Sequence, residues 1–373
     1  MRVIHVLHSM TFGGAEVLVH DFLKATRDRL SQVVVCLDGI GPLGESLRAD
    51  GVRVEVLGRT SGLQPQVAVD LHRLIADVRP DVVCAHQYTP YSYAAMALGP
   101  MRHRPGLVFV EHGRHYPDVR RPKRVAANNL VFLQYTRRVV AVCGYIKRLL
   151  VENEGIPASR IDVVYNGVDP SRFDPSLRAS LDPAGVRSGL GLDPSAQVIT
   201  CVARFHPVKD HPTLVRAFSV ASRELPDARL LLVGGGDEAP LRALASELGV
   251  GDRVVFAGVR RDIPAIYAAS DLFAMASLSE GTSVTLLEAM LSERPALVTE
   301  VGGNPEIVAP GVTGQLVPRG DHAAMGAAMV ALLRDPERRA RMGAAGRRRV
   351  LERFTQQRMH EGWVGALHDA AVR

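Results

Sequence analysis

The chain has 373 residues, 47% of them hydrophobic and 23% charged, with a formal net charge of +6. That length suits two domains of ordinary size, and the balance excludes intrinsic disorder. No apolar run approaches the roughly 18 residues of a membrane span, and the apolar part of MRVIHVLHSM is too short for a signal peptide. The expected location is therefore cytoplasmic, with peripheral contact at the inner face of the membrane left open. The positive balance suggests anionic partners without choosing among a nucleotide, an acidic lipid surface and nucleic acid. An Arg-rich surface without such a partner would give the same balance.

Taken in chain order, short β-branched runs alternate with longer amphipathic stretches. Strand-like runs fall at Val3–Leu7, Val33–Leu37, Val52–Leu57, Val82–Ala85, Leu107–Val110, Val139–Val142 and Ile161–Tyr165. Helix-like stretches such as Ala15–Thr26, Val67–Val78 and Tyr145–Asn153 lie between them. This rhythm predicts βαβ units and a parallel sheet. Gly13 and Gly14 follow the first strand and open the first helix, where backbone can approach a ligand and helix N–H groups can meet an anion. A plain turn would use the same residues, and the G-x-G-x-x-G fingerprint of dinucleotide sites is absent.

The stretch Asp169–Pro194 breaks the rhythm with Pro170, Pro175, Pro183 and Pro194 and reads as a linker. Alternation restarts at Val198–Val202 and continues through Leu230–Val233, Val254–Ala257, Leu272–Ala276 and Ala296–Val298, with helices around Leu214–Glu224, Leu241–Leu248 and Val284–Leu291. The expected boundaries are 1–175, 190–355 and a C-terminal helix at 356–373 packing back towards the first domain. Cys36, Cys84, Cys143 and Cys201 each sit in or beside an apolar run with no metal or redox spacing, so they read as buried strand residues.

Two segments beyond strand ends carry charge in a useful pattern. Arg204 and Lys209 offer a planar fork and a compact ammonium for a diphosphate, or are solvated surface cations. Glu280 precedes Gly281, Thr282 and Ser283, where a hydroxyl can cap the helix that begins at Val284 and carries Thr285 and Glu288. One short segment thus presents two carboxylates, suited to paired sugar hydroxyls, around an anion-ready helix end. An ordinary capped helix remains the alternative.

The spacing Glu280-x7-Glu288, with Arg204, Lys209 and Gly13-Gly14-Ala15-Glu16, resembles the retaining glycosyltransferases of family 4. Glu111-His112-Gly113, Asn166-Gly167-Val168-Asp169, Val233-Gly234-Gly235-Gly236, Val301–Glu306 and Gly311–Val317 add to the likeness, which runs from about residue 3 to about residue 355. The resemblance implies the GT-B fold: two Rossmann-like doubly wound parallel-sheet domains facing across a cleft. It implies that Arg204 and Lys209 bind the donor diphosphate with amides near Ser283, Val284 and Thr285. Glu288 would hold the ribose, and Glu280 the transferred sugar beside His112 and the Gly13-Gly14 loop. Asn166 would join the donor site, and the base would lie near Gly234, Gly235, Val259 and Arg260. Where many members carry Gly-Phe-Gly, this chain has Gly281-Thr282-Ser283, which puts the shape of the sugar pocket in doubt.

The chemistry expected is transfer of a sugar from a nucleoside diphosphate, UDP favoured over GDP, to a hydroxyl acceptor. Retention follows from the resemblance alone. No two aspartates are separated by one residue, so cations and helix amides would replace a metal ion, and no cofactor is expected. Arg114, His115 and Tyr116 are candidates for acceptor contact. The stretch Arg120–Arg148 has eight Lys or Arg and no Asp or Glu; it reads as a surface for anionic lipid or as cations ringing a core. An epimerase or a phosphorylase on the same fold, and a nonenzymatic basic binding protein, are the competing readings. Nucleic acid is not expected as a partner.

Overall fold

The β-branched runs form strands buried on both faces, as near-continuous apolar runs of a helix-covered parallel sheet must be. A computed structural model describes residues 1–113 and 118–371. The chain divides into two compact units, one of residues 1–166 with 359–373 and one of residues 167–358.

The first unit holds β1 (Arg2–Ser9), β2 (Ser31–Gly39), β3 (Arg53–Val56), β4 (Val82–His86), β5 (Gly106–Glu111), β6 (Thr136–Ala141) and β7 (Ile161–Val163). They pair in parallel in the order β3-β2-β1-β4-β5-β6-β7. The second unit holds β8 (Gln197–Val202), β9 (Ala228–Val233), β10 (Val254–Phe256), β11 (Leu272–Met275), β12 (Ala296–Thr299) and β13 (Gly314–Val317), in the order β10-β9-β8-β11-β12-β13. β13 was not among the strand-like runs, because Gly314-Gln315-Leu316-Val317 is short and opens on a glycine. That glycine is needed: a Cβ there would collide with the Ala296 carbonyl of β12. Helix Val284–Leu291 has the bounds its pattern predicts, whereas Tyr88–Leu98 shows no polar face in the sequence because most of it is buried. All four cysteines are buried and free.

Residues 167–175 belong to the second unit rather than the first, because the chain crosses there before its prolines. Val168 bridges to Thr355, and Phe173 is buried 6.3 Å from the Tyr267 ring. The Arg-rich helix Pro336–Arg353 spends several of its cations on carbonyls left open at the ends of other helices. Arg347 donates to the Phe173 and Leu291 carbonyls at 2.8 and 2.6 Å, and Arg349 to those of Ile307 and Glu306 at 2.6 and 2.9 Å.

Helix Gln356–Ala371 supplies the first unit with a lid over one sheet face from Met359 onward. Its Trp363 is buried, with its ring 5.2 Å from Phe22 and 5.7 Å from both His86 and His112. Gly106 leaves no room for a Cβ against the Ala370 carbonyl, so the helix sits hard on the start of β5. A cavity of about 10 Å³ is all that remains between Trp363, Phe22, Cys84 and neighbouring apolar side chains. A Trp363→Ala variant is therefore expected to lose about 3–5 kcal/mol from the first unit, read as a lower urea midpoint for that unit.

Candidate active site

In each sheet the connections reverse direction once, between β1 and β4 and between β8 and β11. Ligands of open parallel sheets bind beyond the strand carboxyl ends at such points. Gly13 and Gly14 leave the first sheet, and Arg204, Lys209 and Glu280 the second, at these two places.

In the second unit, β8 leads to Arg204 and Lys209, and β11 leads to Ser277 and Glu280. The two exits are joined by the Leu278 N–H, which donates to the Val208 carbonyl at 2.8 Å. Lys209 Nζ donates to Glu280 Oε1 at 2.6 Å, and Ser277 Oγ donates to the same oxygen, also at 2.6 Å. Glu280 is buried, and its Oε2 has no partner among the described residues. An ammonium has three donors, so Lys209 keeps capacity for an anion while it holds the carboxylate. Lys209 ends a short 3-10 turn, and Asp210 follows it in the left-handed region at φ 46° to start the next helix.

Beneath Glu280 lies the Val301–Glu306 segment. Gly302 has φ 58° and no room for a Cβ against the Glu280 backbone, and the Gly303 N–H donates to the Glu280 carbonyl at 3.1 Å. Asn304 Nδ2 donates to the Thr299 carbonyl at 2.9 Å, and Thr299 Oγ1 to the Ser277 carbonyl at 2.7 Å. These residues brace the loop from behind.

Arg204 is exposed and its side chain has no hydrogen bond or ion pair among the described residues. Its loop lies against the glycines after β9: Phe205 N–H donates to the Gly235 carbonyl at 2.8 Å. A Cβ on Gly234 would meet the Ala203 carbonyl, and one on Gly236, at φ 132°, would meet Phe205. Val259 is 77% exposed and borders Gly235. Arg260, placed with the donor base by sequence, is engaged by Asp262 at 2.9 and 2.6 Å.

Thr282 and Ser283 are buried beside half-buried Gly281. Ser283 Oγ accepts from the Leu286 N–H at 3.5 Å and caps the helix, leaving the Val284 and Thr285 N–H groups at its mouth. One turn on, Glu288 is half-buried, and desolvation pushes its pKa up to about 7 against the opposing pull of Arg172. Ser277, Arg172 and Tyr267, whose hydroxyl donates to the Thr285 carbonyl at 2.9 Å, escaped sequence reasoning. Ser277 lies three residues before Glu280, a signal too common to single out, and the others join only through the fold.

In the first unit, Gly13 precedes helix Gly14–Ala25, and the Glu16 carboxylate occupies the space a Gly13 side chain would need. Asn166 is buried at the end of the unit's first segment. His112 follows β5, and its Nε2 lies 3.0 Å from Nδ1 of His86 at the end of β4. His86 Nε2 in turn lies 3.2 Å from Nδ1 of His5 in β1. Burial lowers the pKa of His5 and His112 to about 4 and that of His86 well below the ordinary value, so all three rings stay neutral near pH 7. Arg114, His115 and Tyr116 lie outside the described residues.

The basic stretch is partly spoken for. Arg124 pairs with Glu154 at 2.7 Å and lies 3.5 Å over the Tyr88 ring, Arg138 bonds Asp369 at 3.0 Å, and Lys147 bonds the Ile161 carbonyl at 2.7 Å. Arg120, Arg121, Lys123, Arg137 and Arg148 are exposed, as are Leu130 and Val131.

Residues 12–172 match the family model described as Glycosyltransferase Family 4, and residues 186–349 match Glycosyl transferases group 1. The GDP-mannose-dependent alpha-(1-6)-phosphatidylinositol monomannoside mannosyltransferase of Mycolicibacterium smegmatis is 33% identical over 311 residues, 78% of this chain and 77% of that one. D-inositol 3-phosphate glycosyltransferase of Mycobacterium sp. (strain JLS) is 42% identical over 176 residues, 45% of this chain but only 38% of its own length. Among solved structures, Anabaena HepE in complex with UDP superposes with a TM-score of 0.86 at 23% identity, covering 99% of this chain and 100% of that one. At that identity the superposition shows the fold alone.

The raised pKa of Glu288 has a thermodynamic consequence. An unfolded glutamate titrates near 4.3, so between roughly pH 4.5 and 7 the folded state binds more protons and stability falls as pH rises. Glu288→Gln removes this dependence. Its melting temperature is expected to exceed that of the native chain at pH 8 and to match it near pH 4, read by differential scanning fluorimetry.

Proposed function

The chain belongs to glycosyltransferase family 4, and on that premise we propose that it moves a hexosyl group from a nucleoside diphosphate to a hydroxyl of a phosphorylated polyol, with retention at the anomeric carbon and without a metal ion. The observation that carries the donor half of this reading is the Lys209–Glu280–Ser277 cluster. It holds a buried carboxylate with one oxygen engaged and the other open to a sugar hydroxyl. Arg204, Lys209 and the Val284 and Thr285 N–H groups supply positive charge and donors for the diphosphate, on which negative charge grows as the glycosidic bond breaks. Preorganised donors of this kind do the work of a metal ion there. Glu288, once ionised, accepts the two ribose hydroxyls.

Retention has a chemical basis in the donor itself. With no carboxylate assigned as a nucleophile among the described residues, the acceptor attacks from the face the diphosphate leaves, and a phosphate oxygen takes its proton. We keep uridine as the expected base. GDP-mannose is the second reading, favoured by the name of the relative matched over most of its length.

For the acceptor, two relatives are named for inositol carrying a phosphate, one lipid-borne and one free. The exposed Arg120, Arg121, Lys123 and Arg137, with Leu130 and Val131 nearby, suit either a phosphorylated acceptor or the anionic surface that bears one. Among the described residues no helix is long and apolar enough to cross a membrane.

The test is release of nucleoside diphosphate from UDP-glucose, UDP-N-acetylglucosamine and GDP-mannose, with inositol 3-phosphate or phosphatidylinositol vesicles as acceptor. Glu280→Ala and Lys209→Ala are each expected to lower kcat by about 100-fold or more. Activity is expected to persist in EDTA, and NMR of the product to show the donor's anomeric configuration. Full activity in both variants would reject the site assignment; an inverted product would reject the mechanism.

A further inference from the structure

Glu280 receives both of its side-chain hydrogen bonds on one oxygen. Lys209 Nζ and Ser277 Oγ each donate to Oε1 at 2.6 Å, and Oε2 has no partner among the described residues. The last torsion of a glutamate side chain is broad, so nothing in the side chain itself sets the plane of its carboxylate. The two donors set it. They differ in stiffness and in what else competes for them.

Lys209 reaches Glu280 on a flexible four-carbon stem from the exit of β8, and its side chain is 24% exposed. Its ammonium is a compact charge with three donors, free to swing between anions. Ser277 is fully buried just beyond β11. Its hydroxyl has one hydrogen, and that hydrogen is committed to Glu280. The backbone that carries it is braced from behind. Thr299 Oγ1, at the end of β12, donates to the Ser277 carbonyl at 2.7 Å. Thr299 is itself fully buried, and its carbonyl accepts from Asn304 Nδ2 at 2.9 Å. Asn304, Thr299 and Ser277 thus make a line of buried polar residues that ends on Glu280 Oε1. All of them belong to the second unit.

We propose that Ser277 is a positioning residue, which keeps Glu280 Oε2 aimed at a hydroxyl of the transferred sugar while Lys209 turns its donors to the departing diphosphate. The proposal rests on reading Glu280 as the sugar-binding carboxylate and Lys209 as a diphosphate ligand. With donor bound, one ammonium serves two anions, the carboxylate and the diphosphate. Negative charge on the diphosphate grows as the glycosidic bond breaks, and its pull on the ammonium grows with it. A carboxylate held by Lys209 alone would loosen at that moment. The Ser277 hydroxyl has no other acceptor among the described residues, so its hold on Oε1 does not weaken. In the ground state Lys209 still holds Glu280, and Ser277 is needed less. The effect of Ser277 therefore falls on kcat rather than on donor KM.

In the release assay, on whichever of UDP-glucose, UDP-N-acetylglucosamine and GDP-mannose the native chain uses, Ser277→Ala is expected to lower kcat by about tenfold, the rate equivalent of one hydrogen bond. Donor KM is expected to stay within about twofold, because ground-state binding is not what Ser277 changes. Donors that each lack one hydroxyl of the sugar ring separate positioning from general damage. With the donor lacking the hydroxyl that Glu280 holds, native and variant kcat are expected to agree within about twofold, because the aim of Oε2 no longer matters. With the other deoxy donors the loss is expected to persist. Crystal structures with the nucleoside diphosphate bound give the geometry: Glu280 is expected to keep its plane in the native chain and to turn in Ser277→Ala.

A loss equal across all the deoxy donors overturns the proposal. So does native kcat in Ser277→Ala, a loss wholly in KM, or a Glu280 carboxylate that lies alike in both crystal structures. If Ser277→Ala does not fold, Thr299→Val, which removes the hydroxyl behind Ser277, is taken through the same donors with the same pattern expected. Should the native chain turn over none of the nucleotide sugars, the functional reading fails and takes this proposal with it. Turnover in the native chain with a uniform loss in the variant sinks the positioning role alone.

Discussion

A buried carboxylate must be answered by charge or hydrogen bonds, and the way Glu280 is answered organises the second unit. Desolvating it alone would cost several kcal/mol. Lys209 and Ser277 offset that cost through a single oxygen. The arrangement is possible only because β8 and β11 are neighbours, so that their exit loops run side by side. It also needs backbone to pass directly behind Glu280, which is why Gly302 stands at a positive φ there. Asn304 and Thr299 complete the support. Remove the pairing and the loop loses the reason for its shape.

The two sheets share the first six positions of their strand order and set different side chains at and beyond their strand ends. At the reversal point of the second unit stand charges: Arg204, Lys209, Glu280 and, one helix turn away, Glu288. Around that of the first stand neutral imidazoles, kept neutral by burial under Trp363 and the terminal helix. A charged group binds and stabilises charge. A neutral imidazole places a hydrogen-bond donor at one ring nitrogen and an acceptor at the other. The fold supplies the position in both cases, and the local dielectric decides the role.

The basic composition misleads when counted without the structure. Arg347, Arg349 and Arg339 reach carbonyls at the ends of helices and turns, and Arg124 and Arg138 pair with carboxylates. A guanidinium with five donors suits such sites better than any other side chain. Part of the positive charge is thus structural cement, and five of the eight cations that the sequence counts in the stretch from Arg120 to Arg148 remain exposed.

Both parallel sheets, the helix Val284–Leu291 and the place of Arg204, Lys209 and Glu280 just beyond strand ends were legible in the sequence, because alternation and motif spacing are local properties. The short strand Gly314–Val317 and the transfer of residues 167–175 to the second unit were not, because each depends on a partner far along the chain. The sequence by itself determined which residue types stand at the strand exits, and with them the family. Only the tertiary structure decided that Lys209 holds Glu280 by one oxygen, that Arg260 is occupied by Asp262, and that Glu288 titrates near neutrality. It alone joined His5 to His86, 81 positions on, and His86 to His112, 26 positions on, through neighbouring strands. Hydrogen bonding and desolvation act over a few ångströms of space, and no spacing along the chain records which groups will share them.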